Sequence, residues 1–298
     1  MPPHTGHWWI GLDWMVFPRR RVAINPRSAV LISAPGVFDP LSARVAEQSG
    51  ANALYMTGYG VSASLLGKPD AGLVSYREMV DRVRAICEVT TVPLIADGDT
   101  GFGSLANVRQ AVQGYENAGA SAIQIEDQEY PKRCGHTRNR KVISTEDMVR
   151  KIELACETRQ SDLFLIVART DARTEHGLDE ALSRAEAYRS AGADVLFVES
   201  PESLDEMRMI NEQLSGTPTL ANMVGGGKTP MLQDAELRAL GYDIAIHPVY
   251  LLGAAVTAMR EALKTVQATG EEASSAATLD ELNTLVDFES IWALDERR

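Results

Sequence analysis

One phrase recurs along the chain. Gln48 to Thr57, Asn117 to Glu126 and Ser190 to Glu199 each pass from a helix-period segment through a glycine (Gly50, Gly119, Gly192) into a short apolar stretch. Seven residues after each glycine stands a polar residue: Thr57, Glu126 or Glu199. Glycine just past a helical segment suits a terminus that needs a positive φ. A weaker copy runs from Gly241 through Ile244 and Ile246 to Pro248. The unit is helix, tight turn, strand, polar tip. Strands joined through helices in this way pair in parallel, which leaves few folds open.

Apolar stretches at 29–34, 52–57, 93–97, 122–126, 163–168, 194–199, 218–222 and 243–247 read as eight strands. Helices fill most of the intervals, as at 75–89, 104–118, 145–158 and 178–191. Near-continuous apolar strands alternating with amphipathic helices imply an α/β protein whose parallel sheet is covered on its outer face. Eight units favour a closed (β/α)8 TIM barrel over an open doubly wound sheet. No Gly-x-Gly-x-x-Gly follows the first strand, as a dinucleotide fold would require. Helical stretches at 250–267 and 277–295 exceed a minimal barrel and are expected to pack on a neighbouring subunit. Residues 1–21 read as an N-terminal extension, with Met15 as an alternative start, and 22–298 as the barrel domain with its C-terminal helices.

The 298 residues, 45% of them hydrophobic, suffice for a large core. A net charge of -12 opposes a nucleic-acid surface. No run approaches the roughly 20 apolar residues of a membrane span. Arg19, Arg20 and Arg21 follow the N-terminal apolar residues, the reverse of a secretory signal. Cys87, Cys134 and Cys156 have neither zinc nor disulfide-framework spacing, and free thiols suit a reducing compartment. The expectation is a cytoplasmic protein without nucleic-acid or membrane partners.

In such a barrel the carboxyl ends of the strands share one mouth. Here they supply Thr57-Gly58, Asp97, Asp99, Glu126, Arg169, Glu199, Asn222 and His247. Any one of these reads equally as a solvated loop residue, but five charged residues at corresponding ends read as a site. Asp97 and Asp99, two apart, offer hard oxygen ligands suited to Mg2+, with Mn2+ as an alternative ion. Asp70 and Glu126 would hold the ion's waters. An Asx-type turn is the plain alternative for the pair.

Lys132-Arg133-Cys134-Gly135-His136 is the sharper signal. Flanking cations favour the thiolate, and Gly135 lets the loop close over a ligand, so Cys134 reads as a catalytic thiol. Cys87 and Cys156, in helical periodicity, read as inert. Arg138, Arg140 and Lys141 read as surface charge. Arg169 offers a planar fork for a substrate carboxylate, or an ion pair with Glu199 or Asp171. Gly225-Gly226-Gly227-Lys228-Thr229 is not a phosphate loop, because Asn222 stands where that motif needs glycine.

Together these residues resemble the isocitrate lyase / phosphoenolpyruvate mutase superfamily, closest to its 2,3-dimethylmalate lyase, methylisocitrate lyase and petal death protein branch. The likeness rests on Thr57-Gly58-Tyr59-Gly60, Leu66 to Asp70, Asp97 to Gly101, Glu126-Asp127-Gln128, Lys132 to His136, Ala168 to Asp171, Glu199, Asn222 and Gly227 to Pro230. The resemblance implies a Mg2+-dependent carbon–carbon lyase that cleaves a substituted malate or related 2-hydroxy di- or tricarboxylate by a retro-Claisen route. It implies catalytic roles for Cys134, Lys132, His136 and Glu199. Substrate would be bound by Thr57, Gly58, Tyr59, Arg169, Gly135 and Asn222, and the ion held by Asp97 and Asp99 with Asp70 and Glu126 through water. It further implies a homotetramer with swapped C-terminal helices. Alternatives within the superfamily are an oxaloacetate hydrolase or decarboxylase and a carboxyphosphonoenolpyruvate mutase; outside it stands a non-catalytic metabolite-binding barrel. Tyr59, Thr137-Arg138 and Gly225-Gly226 depart from the methylisocitrate lyase pattern, and Gly225 leaves the distal pocket open to question.

Overall fold

The computed structural model describes residues 23–134 and 141–296. Eight parallel strands lie in the order β6-β5-β4-β3-β2-β1-β8-β7: β1 Ile32–Val37, β2 Leu54–Met56, β3 Leu94–Asp97, β4 Ala122–Glu126, β5 Leu165–Thr170, β6 Val195–Val198, β7 Leu220–Asn222 and β8 Ile244–His247. The two ends of that order meet through a bridge between Leu196 and Thr219, where the Leu196 N–H donates to the Pro218 carbonyl at 2.9 Å. The sheet is thus a (β/α)8 barrel. The glycines of the repeated phrase have φ of 93° (Gly50), 104° (Gly119) and 103° (Gly192), as helix-ending positions demand.

Strand residues alternate between two cores. Tyr55, Ile95, Val167, Phe197 and Ile246 point inward and fill the barrel, whereas Leu54, Met56, Ala96, Ile123, Ile166 and Leu196 pack outward against the helices. One glycine is indispensable to closure. A Cβ on Gly36 would stand 2.3 Å from the Pro248 carbonyl oxygen, so only glycine lets β1 run under the segment leaving β8.

Beyond the barrel come helices Tyr250–Thr269, Leu279–Leu285 and Phe288–Asp295, none with a buried residue. The single helix expected over 277–295 is broken, because Asp287 turns left-handed at φ 63°. Aspartate tolerates that conformation through local hydrogen bonding, here from the Ser290 hydroxyl to Asp287 Oδ1 at 2.7 Å. Leu263, Ile291 and Trp292 are left exposed on these helices. Among the described residues no helix is long and apolar enough to cross a membrane.

Candidate active site

The carboxyl end of β3 opens into a turn that the backbone pays for. Asp99 (φ 48°), Gly101 (82°), Phe102 (62°) and Gly103 (140°) all lie at positive φ. Asp97 Oδ1 accepts from the Asp99 N–H at 3.0 Å, so the Asx-type turn is present. It does not displace the site reading, because Asp97 is buried and lines the cavity as well. The turn is pinned from outside: the Tyr115 hydroxyl donates to the Asp97 carbonyl at 2.9 Å, and Lys151 Nζ to the Thr100 carbonyl at 2.8 Å. Asp99 does not continue the extended strand as expected. Its left-handed backbone turns it toward Lys132.

Lys132 reaches into this nest. Its Nζ lies 2.7 Å from Asp70 Oδ1 and 2.7 Å from Asp99 Oδ1. Burial works against the ammonium, but Asp99, Asp97, Asp70 and Glu126 outweigh it and hold its pKa well above the ordinary lysine value. Burial also pushes Asp99 up, to about 7, with Asp97 and Asp70 adding to the push and Lys132 opposing it. Burial likewise raises Glu126 well above the usual carboxylate range, against the pull of Arg169.

The opposite side is organised by Arg169 on β5. Its Nε donates to Asp171 Oδ2 at 2.8 Å and its Nη2 to Asp171 Oδ1 at 2.9 Å. Glu199 Oε2 lies 3.2 Å from Nη2 and Glu126 Oε2 3.4 Å from Nε, while the guanidinium sits 5.1 Å from the centre of the Phe197 ring. Both ion pairs weighed for Arg169 therefore exist. Glu199 Oε2 also accepts from Asn222 Nδ2 at 3.0 Å, tying β7 into the same network.

Sequence reasoning missed the layer beneath. Tyr55 donates to Gln124 Oε1 at 3.2 Å, and Gln124 lies two residues before Glu126. Asp127 accepts from the Asp171 N–H (2.8 Å), the Thr170 hydroxyl (2.7 Å) and the Tyr188 hydroxyl (2.7 Å), and so fixes the segment that carries Arg169. A step of two back from each strand tip finds the inward layer. Asp127 stands in the Glu126-Asp127-Gln128 motif, but nothing local gives its role, because its partners are 43 to 61 residues away.

One cavity of about 520 Å³ gathers Thr57, Tyr59, Asp70, Asp97, Glu126, Lys132, Cys134, Arg169, Glu199 and Asn222, with Tyr55 at its floor. Cys134 is half-buried and its N–H donates to the Asp70 carbonyl at 3.2 Å. Gly58 lies against Asp97 and spends its amide on Asp97 Oδ2 at 3.2 Å, so that donor is committed to the protein. Thr57 Oγ1 accepts from the Gly60 N–H at 3.2 Å and caps helix Gly58–Leu66. His247, one of the strand tips, meets Ser33 Oγ at 3.4 Å and is not among the cavity residues. Gly135, His136, Thr137, Arg138 and Arg140 lie outside the described residues. Val224, Pro248, Val249, Leu252 and Val256 supply an apolar wall.

The residues present fit a divalent cation of the hard, water-keeping kind. The donors are carboxylate oxygens, and Glu126 Oε1 is buried with no hydrogen-bond partner among the described residues. Among those residues no group of three or more His, Cys, Asp or Glu side chains forms a ready cage for a metal ion. Mg2+ takes one or two carboxylates and retains waters, so the fit rests on the unpartnered Glu126 Oε1 and the carboxylates near it.

A barrel with buried carboxylates, two buried cations and a half-buried thiol at its strand ends has the makings of an enzyme for small carboxylic acids. The chain belongs to the phosphoenolpyruvate phosphomutase family, whose model matches residues 26–267, and the expected superfamily resemblance holds. It is 50% identical to the 2,3-dimethylmalate lyase of Eubacterium barkeri over 88% of this chain and 91% of that protein. It is 42% identical to a 2-methylisocitrate lyase of Aeropyrum pernix, over 87% and 82%. A structure of oxaloacetate acetylhydrolase in complex with the inhibitor 3,3-difluorooxalacetate matches with a TM-score of 0.87 at 34% identity, over 90% of this chain and 92% of that one.

Proposed function

We propose that this protein is a carbon–carbon lyase that cleaves a substituted malate of the 2,3-dimethylmalate type to a 2-oxo acid and a carboxylic acid. The observation that carries the reading is the meeting, in one cavity, of the Arg169 cluster, the Lys132 cluster and the Cys134 thiol. With Nε and Nη2 committed to Asp171, Glu126 and Glu199, Arg169 offers Nη1 to a substrate carboxylate. Tyr59, in the first helical turn, adds a backbone N–H that the helix itself does not use. Glu199 and Asn222 hold that end of the substrate in place. As the bond between C2 and C3 breaks, the 2-hydroxyl proton passes to one of the buried carboxylates lining the cavity. The electron pair stays on the departing fragment, to which Cys134 gives its proton as general acid. Solvent returns a proton to the thiolate and takes one from the carboxylate once the products leave. Lys132 orders the segment that carries the thiol, and His136 is its other catalytic neighbour. Gly135 would contact the substrate beside the thiol, as the family resemblance implies.

Asp97 and Asp99 would hold Mg2+ (or Mn2+) directly, with Asp70 and Glu126 acting through waters. When bound, such an ion supplies Lewis-acid polarisation of the substrate's 2-oxygen. The exposed apolar residues of the C-terminal helices support a homotetramer in which those helices pack on neighbouring copies. Free cysteines support a cytoplasmic location. Residues 1–21 are an N-terminal extension to the 22–298 barrel domain.

The deciding experiment incubates the protein with 2,3-dimethylmalate, 2-methylisocitrate and oxaloacetate and assays pyruvate and oxalate. Pyruvate from 2,3-dimethylmalate is expected. Oxalate from oxaloacetate without pyruvate from either of the other acids would sink the lyase in favour of the hydrolase.

A further inference from the structure

The wall of the cavity that takes no part in this chemistry is built largely by one helix face. Val249, Leu252, Gly253 and Val256 follow i, i+3, i+4, i+7 spacing where helix Tyr250–Thr269 begins, so they share a face, and all four line the cavity. Val224 and Pro248 extend the same surface. None of the six has a polar side chain. Lys132 and Arg169, by contrast, are already held among carboxylates. Arg133 also lines the cavity, but as an exposed residue outside this wall. A third substrate carboxylate lying on the wall itself would lose its water without gaining a partner from it, whereas an alkyl group would gain by leaving water.

Gly253 is the odd member. A glycine inside a helix costs about 1 kcal/mol relative to alanine. No positive φ calls for it, and a Cβ built there would meet no atom within 4 Å. Within one chain, neither backbone conformation nor crowding accounts for this residue. What it does is leave a gap in the wall between Leu252 and Val256.

We propose that Gly253 sets substrate chain length, and that the site takes malates whose C3 substituent is a linear alkyl group longer than methyl. The proposal rests on the lyase reading and sharpens it. Each added methylene that reaches the wall should improve affinity roughly fourfold, until the gap at Gly253 is filled.

Two ladders test this. Titration calorimetry with unreactive 2-alkylsuccinates, methyl to hexyl, reads binding alone; kcat/KM on 3-alkyl-2-methylmalates of the same lengths reads cleavage. In the unaltered protein affinity should climb by about fourfold per methylene at least to propyl. Gly253→Leu should cut the butyl-to-methyl ratio at least tenfold, Gly253→Ala should cut it less, and Leu252→Ala should move the optimum to longer chains. Light scattering follows assembly in every variant. A flat ladder, a ratio untouched by Gly253→Leu, or a changed assembly with an unchanged ratio would each overturn the proposal, the last by assigning the glycine to subunit packing. Should Gly253→Leu not fold, the ratios for Gly253→Ala and Leu252→Ala decide. Alkylsuccinates that bind in the expected ladder while no alkylmalate is cleaved would refute the lyase reading and leave the wall standing; cleavage without a ladder would do the opposite.

Discussion

The two halves of the mouth are built on opposite terms. On the side of β3 to β6 nearly every side chain is charged, buried and tied to at least one other, as Lys132 is to Asp70 and Asp99 and Arg169 is to Asp171, Glu126 and Glu199. On the side of β8, helix Tyr250–Thr269 and Val224 the lining is aliphatic, and one position is empty of side chain altogether. The first half has preorganised charge and no slack; the second has room and no charge. A site so divided can keep its reaction constant while the substrate's tail varies.

Substitutions on the charged side should strike hardest. Cys134→Ser is expected to lower kcat by about 10²- to 10⁴-fold, the usual worth of a placed general acid, with binding of an unreactive diacid retained by calorimetry. An unaltered kcat would remove Cys134 from the chemistry. Arg169→Gln leaves Asp171, Glu126 and Glu199 facing one another with no cation between them, at a cost of about 3–5 kcal/mol in denaturant unfolding. A loss below 1 kcal/mol would show the cluster to be solvated and the contrast between the halves overstated. Glu126→Gln should weaken Mg2+ about 10- to 100-fold in titration, as expected for a residue acting through the ion's waters.

The smallest effect belongs to His247, at the end of β8. Burial lowers the pKa of His247 below its usual value, against a weaker pull from Asp234. The folded state therefore refuses a proton that the unfolded chain accepts, and stability falls as pH drops below about 6.5. His247→Gln should flatten that part of the pH profile of unfolding, and a slope that persists would place its origin elsewhere.

The repeat made the barrel legible, and the strand ends made most of the site legible. What the sequence hid has physical causes. The first strand was expected at 29–34 and lies at Ile32–Val37, because Pro35 and Gly36 look like breakers. Gly36 is there for the close pass beneath Pro248, and Val30, inside the expected strand, is 70% exposed. The fifth strand was expected to end at 168 and runs to Thr170. A charged residue reads as a strand terminus only while its partners are unseen, and those of Arg169 stand at or just past the ends of β4, β5 and β6. The broken helix near Asp287 and the hub at Asp127 depend likewise on contacts that no local pattern announces.

Lys132 stands only two residues before Cys134, and its ammonium is gripped by Asp70 and Asp99. Two residues of chain extend no more than about 7 Å, so the sulfhydryl hangs on a short leash with its peg driven into the acidic nest. A second stitch, from the Cys134 amide to the Asp70 carbonyl, shortens it further. Two ties, one through a side chain and one through the backbone, moor the sulfhydryl at the rim of the cavity.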